Sequence, residues 1–166
     1  MAAAPNAGVP RARSDSWNVS AMRAEDLREI LEIERSSFDN PWSGALFLQE
    51  LRIPFSRIVV VRPAAEADGP IAGYLCRWLV ADEVHVLNVA VHPQYRRRGI
   101  ASLLMDEALR EARECKAEAV TLEVRRSNVG ARRLYAVLSF EEVGVRRNYY
   151  GRGEDALIMR LALAHD

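Results

Sequence analysis

At 166 residues, with 49% apolar and 28% charged side chains, the chain is long enough for one domain with a sizeable core and has an ordinary soluble composition. Lysine plus arginine and aspartate plus glutamate each number 23, so there is no basic excess for a general nucleic-acid binder. No run of about 18 apolar residues is available to cross a membrane.

Residues 1–16 are rich in Ala, Pro, Gly and Arg and lack apolar periodicity. They read as a disordered tail rather than a signal peptide, ahead of one domain over residues 17–166. Trp17–Met22 reads as a short strand. Ala24–Phe38 carries a helical stripe at Leu27, Ile30, Leu31 and Ile33–Glu34, with Glu25 and Asp26 suited to a first turn. Pro41 ends that helix, and Ser43 can cap a second over Gly44–Leu51. Arg57–Val61 and Ile71–Val80 read as strands around a polar turn at Pro63–Pro70, and Asp82-Glu83 turns the chain into the apolar run Val84–Val91. A helix follows through Ala112. Ala119–Val124 is another strand, Val129–Leu138 another helix, and Phe140–Arg147 and Ala156–Leu163 a final strand pair around Gly151–Gly153. Hairpins together with a strand–helix–strand unit define a mixed α+β sheet.

Two places carry chemistry. The first is Val84–Ala112, a buried strand broken at His92-Pro93-Gln94, then three arginines, then a helix. A helix start leaves backbone N–H groups unpartnered and adds partial positive charge, so a phosphate settles there when nothing bulky intervenes. Gly99 and Ala101 keep that approach open beside Arg96, Arg97 and Arg98. An ordinary strand-to-helix turn with solvated arginines has the same spacing. The second is Leu122-Glu123-Val124-Arg125-Arg126-Ser127-Asn128 with Ala131-Arg132-Arg133-Leu134-Tyr135. Taken alone, Glu123 is equally a glutamate on a solvated strand face, Tyr135 a core tyrosine beside Leu134 and Leu138, and Asn128 a helix N-cap.

Arg96-Arg97-Arg98-Gly99-Ile100-Ala101 resembles the (Gln/Arg)-x-x-Gly-x-(Gly/Ala) signature of the GNAT acetyltransferases. The Leu122–Tyr135 run, Pro41-Trp42-Ser43, Arg146-Arg147-Asn148-Tyr149-Tyr150 and Glu154-Asp155-Ala156-Leu157-Ile158-Met159 resemble the RimI branch of that family, over roughly Trp17–Leu163. The resemblance implies the GNAT fold, a mostly antiparallel sheet of about 6–7 strands flanked by about four helices. It implies acetyl-coenzyme A (acetyl-CoA) as co-substrate, its pyrophosphate on the first turn Arg96–Ser102 and its acetyl and pantetheine parts along Val89, Ala90 and Val91. Asn128 matches a cofactor-contacting asparagine. Glu123 corresponds to a base and Tyr135 to an acid. The acceptor implied is a protein N-terminus, the N-terminal alanine of a bacterial small-subunit ribosomal protein. The rivals are a GNAT enzyme acting on small amines or lysine side chains, and an acyl-CoA-binding module without turnover.

Tyr149-Tyr150 and Glu154-Asp155 are candidates for a peptide groove. The expected state is a cytoplasmic monomer or weak dimer, with no direct nucleic-acid or membrane partner. Cys76 and Cys115 lack ligand spacing and read as free thiols; His85, His92 and His165 share no spacing, so no metal is expected. The family has Leu-Gly-Phe after the tyrosine helix, whereas this chain has Leu138-Ser139-Phe140. A left-handed helix end there would cost serine about 1 kcal/mol relative to glycine.

Overall fold

The structure is a computed structural model that describes residues 16–165. The expected tail falls outside the described residues except for Ser16, whose carbonyl accepts from Ala64 N–H. In chain order the elements are β1 (Trp17–Ala21), α1 (Leu27–Ser37), α2 (Gly44–Glu50), β2 (Ser56–Pro63), β3 (Gly73–Val80), β4 (Glu83–Val91), α3 (Ile100–Glu114), β5 (Ala119–Arg125), α4 (Val129–Val137), β6 (Glu141–Arg146) and β7 (Ala156–Ala162). They form one seven-stranded sheet in the order β1-β2-β3-β4-β5-β7-β6. Every pairing is antiparallel except β4 with β5. The mixed α+β sheet with four α-helices read from the sequence is therefore the fold observed.

Strand alternation sorts the core into two layers. Val59 and Val61 of β2 join α3 and α4 residues on one face, while Ile58 and Val60 join α1 and α2 residues on the other. Local departures from the sequence reading have local causes. The first helix opens as a 3-10 turn at Ala24–Asp26, and Asp26 is buried. Its carboxylate accepts Arg23 N–H at 2.8 Å and pairs with the buried Arg62 at 2.5 Å, so it serves the sheet rather than a solvated first turn. The β3–β4 turn sits at Ala81-Asp82, with Ala81 at φ 51°, and Glu83 already belongs to β4.

Two irregularities position the site. Cys76 pairs with Asn88 but Arg77 pairs with Val86, so Leu87 is an extra residue on β4, a bulge. Val84 and Val86 face the α3/α4 layer, and Val89 and Val91 return to it. Leu87 and Asn88 between them both turn toward α1/α2. The parallel ladder to β5 covers only Glu83–Val86 against Ala119–Leu122. Past the bulge, the two strands part.

The second irregularity is the end of α4. Ser139 lies at φ 72°, its N–H donates to Ala136 O, and Phe140 N–H donates to Tyr135 O. These are the two bonds of a Schellman ending, and the accompanying apolar contact is Phe140 on Tyr135, ring centroids 5.9 Å apart. A β-carbon is strained at this φ. Ser139→Gly is expected to stabilise the fold by about 1 kcal/mol, raising Tm by about 2–4 °C in a thermal melt.

Candidate active site

Where β4 and β5 part there is a cavity of about 880 Å³, within the usual range for small-molecule sites. Its walls are the free stretch Leu87–Val91 of β4 and Glu123–Arg125 of β5. One end is closed by the first turns of α3 and α4, the other by the end of α1 and the loop to Trp42. The cleft thus runs through the sheet from one helical layer to the other.

At the α3 end the backbone is left-handed at Arg97 (φ 63°) and at Gly99 (φ 76°), the N-cap of α3. A β-carbon added to Gly99 would meet nothing within 4 Å, so open space lies against the helix start. No side chain caps the first-turn N–H groups of α3. Val89, Ala90, Val91, Arg96, Arg97, Gly99, Ile100, Ala101 and Ser102 all line the cavity. Arg98 does not; its guanidinium sits 5.4 Å from the centre of the Tyr95 ring. Arg96 Nε donates to Val91 O at 3.4 Å.

Asn128 lines the cavity and also caps α4, its Oδ1 accepting from Ala131 N–H at 3.1 Å. The N-cap read from the sequence is thus observed, and the same residue borders the cavity. Glu123 lies on the cavity wall, not on an open strand face, with 28% of its side chain exposed and Arg146 Nε 3.0 Å from its Oε1. Arg146 in turn lies 5.6 Å from the Tyr149 ring centre. Tyr135 is 5% exposed, lines the same cavity, and its hydroxyl has no hydrogen-bond partner among the described residues. Burial, with a smaller contribution from Tyr150, pushes its phenol up to about 12. Tyr150 lines the cavity too; burial and then the charge of Glu123 hold its phenol above the ordinary value, while Arg125, 4.4 Å over its ring, opposes them.

Sequence reasoning missed Glu34 and Asn88. Glu34 follows Ile30 and Ile33 at an inward position of α1, so a carboxylate within an apolar stripe was the available signal. It is 1% exposed and lines the cavity. Asn88 lay inside an apolar strand pattern, and nothing local marks the bulge that turns it.

Residues 25–140 match the family model described as Acetyltransferase (GNAT) family. A Bacillus subtilis (strain 168) protein whose name proposes ribosomal protein bS18-alanine N-acetyltransferase activity is 40% identical over 143 residues, covering 85% of this chain and 92% of its own. An N-alpha-acetyltransferase of Sulfurisphaera tokodaii is 32% identical over 164 residues, covering 91% and 96%. The crystal structure of the ribosomal-protein-S18-alanine N-acetyltransferase from Escherichia coli superposes with a TM-score of 0.80 at 30% identity, covering 91% of this chain and 96% of that one. This chain belongs to the GNAT acetyltransferase family. It is an N-acetyltransferase by membership.

The environment of Tyr135 has a spectroscopic consequence. A phenol held near 12 stays protonated when ordinary tyrosines, near 10, have ionised. In an ultraviolet titration of folded protein, Tyr135→Phe should remove one component that ionises near 12 and leave those of the ordinary tyrosines in place.

Proposed function

We propose that this enzyme transfers the acetyl group of acetyl-CoA to the α-amine of a protein N-terminus, with the N-terminal alanine of ribosomal protein bS18 as its acceptor. The observation that carries the reading is one cleft holding a carboxylate, a phenol and an uncapped glycine-started helix, in a chain whose relatives bear that activity in their names.

The residues present fit acetyl-CoA. The uncapped first turn of α3 and the space beside Gly99 suit a pyrophosphate. The stretch Val89–Val91, paired with β3 on one edge, suits the pantetheine and acetyl end, because on its other edge it no longer has β5 opposite it. When bound, acetyl-CoA supplies the thioester carbonyl that the amine attacks. Glu123 takes the proton from the α-amine, directly or through a water. An α-amine near 7.7–8.0 needs far less help at neutral pH than a lysine near 10.4, which favours an N-terminal acceptor. Tyr135, on the wall of the same cavity, serves the departing sulfur. A phenol near 12 is a weaker acid than a thiol near 8.5 by an amount worth about 5 kcal/mol, so full transfer ahead of bond cleavage is uphill. Tyr135 therefore acts by donating a hydrogen bond that strengthens as charge develops on sulfur, the proton passing as the bond breaks.

Trp42 and Phe38 at the other mouth, with Tyr150, form the wall along which the acceptor enters. This reading places the reaction in the cytoplasm, on a protein and without nucleic acid, by a monomer or weak dimer. No helix among the described residues is long and apolar enough to cross a membrane.

A panel of peptides differing at residue one, together with internal lysines and free small amines, tests the acceptor. Acetylation is expected on the free α-amine of alanine-first peptides; acetylation of lysine alone would move the enzyme to another substrate class. Gly99→Trp fills the space at the helix start, and calorimetry should show acetyl-CoA affinity falling sharply in a protein that still folds.

The two proton carriers are separable. Glu123→Gln and Tyr135→Phe should each lower kcat by about 10²–10⁴-fold. Raising the pH should partly rescue Glu123→Gln, because more α-amine is then already neutral. It should not rescue Tyr135→Phe, whose missing proton goes to the leaving group. A pH–rate profile of kcat for the three proteins decides it, and wild-type rates in both variants would remove both roles.

A further inference from the structure

Glu34 is the one glutamate of α1 with both carboxylate oxygens engaged far from its own helix. One oxygen accepts Trp42 N–H at 2.9 Å. The other accepts Asn88 Nδ2 at 2.9 Å and the Tyr74 hydroxyl. Asn88 Nδ2 also lies 3.2 Å from the Tyr74 oxygen, which closes the network. Around it are Ile30, Ile33, Phe47 and Tyr74, all essentially without solvent contact. Burial raises the Glu34 carboxyl above its ordinary value, while the Trp42 N–H and the Asn88 amide oppose that shift.

A carboxylate is an expensive residue for such a place. Packing alone would be served at lower cost by leucine or methionine, since a buried charge is tolerated only when its hydrogen bonds are complete. Its donors are also not arbitrary. Trp42 belongs to the loop that walls the acceptor end of the cleft. Asn88 is one of the two residues that the β4 bulge turns to this face, immediately before Val89–Val91. Glu34 therefore bridges the acceptor wall and the strand along which the thioester is expected to lie.

We infer that Glu34 is a positioning residue for acetyl transfer: its carboxylate fixes the acceptor wall at Trp42 and the β4 bulge at Asn88 in one register. The inference rests on the acetyltransferase reading above. It separates two quantities that a general packing role would change together. Acetyl-CoA gains its anchorage at the α3 end, away from Glu34, so its binding survives when the register loosens. The approach of amine to carbonyl does not survive, because misplacement on the order of 1 Å costs about 10²-fold in rate.

Glu34→Gln keeps the size of the side chain but replaces one accepting oxygen by an NH₂, which cannot serve Trp42 N–H on one side or Tyr74 and Asn88 on the other. In the full-length chain, kcat on an alanine-first peptide should fall by about 10- to 100-fold, while the calorimetric Kd for acetyl-CoA stays within about twofold. Backbone hydrogen exchange at Leu87–Val89 should become faster. Asn88→Ala, which leaves Glu34 its other donors, should shift the same three readouts in the same direction with a smaller loss of Tm, and it decides the matter if Glu34→Gln fails to fold. Wild-type kcat in a folded variant overturns the inference, and so does a loss of kcat matched by an equal loss of acetyl-CoA affinity. If the wild-type enzyme acetylates no amine, the acetyltransferase reading fails instead; exchange at Leu87–Val89 then judges the bridge, faster exchange in the variants supporting it and unchanged exchange overturning it.

Discussion

The single extra residue at Leu87 governs the geometry of this enzyme. An antiparallel strand with one residue too many must turn two successive side chains to the same face, here Leu87 and Asn88. The ladder to β5 ends at Val86, one residue before it. From that point a parallel pair that would otherwise close the middle of the sheet becomes a cleft. Free backbone on β4 and the Glu123 side chain on β5 face the same space. In a regular sheet, β5 would occupy the hydrogen-bonding edge of Val89–Val91, and the cleft would have no room for a ligand.

On one face of the sheet the bulge is held by α1. That helix and its leading turn carry three carboxylates that reach into the strands. Asp26 pairs with Arg62 of β2, Glu29 accepts Ile71 N–H at 2.8 Å just before β3, and Glu34 accepts from Tyr74 of β3 and Asn88 of β4. Apolar packing by Ile30 and Ile33 supplies the burial, but apolar contacts slide. Directional bonds from a buried carboxylate do not, and they tie α1 to this end of the cleft. Opposite it, α3 and α4 present their first turns, and the Schellman ending of α4 clamps Tyr135 against Phe140.

The two proposed proton carriers sit in contrasting surroundings. Glu123 keeps partial access to water and a charged partner in Arg146. Tyr135 is only 5% exposed, and its phenol rises accordingly. Tyr150 lies close enough to feel the charge of Glu123, with Arg125 over its ring. In the proposed reaction an amine that must lose a proton thus meets a carboxylate, and a sulfur that must gain one meets a phenol that ionises only under strongly alkaline conditions. The two ends of the proton path differ because burial differs across a few residues of one cleft.

Much of this was legible in the chain. Alternating apolar residues marked the strands, Ser43 and Asn128 marked two helix starts, and Gly99 marked an unobstructed start of α3. Those features depend on neighbours along the sequence, which is why local reading reached them, and the Glu123 and Tyr135 candidates came with the motif around them. What the sequence could not reveal depends on partners far apart in the chain. Asn88 reads as one polar residue in a buried strand, and Glu34 as one acid on an amphipathic helix. Only packing of residues 54 positions apart makes them a hydrogen-bonded pair across a bulge. The Arg146–Glu123 ion pair and the raised Tyr135 phenol are of the same kind. Charge balance and burial are properties of the assembled cleft, set by which strands lie side by side, and no stretch of sequence contains them by itself.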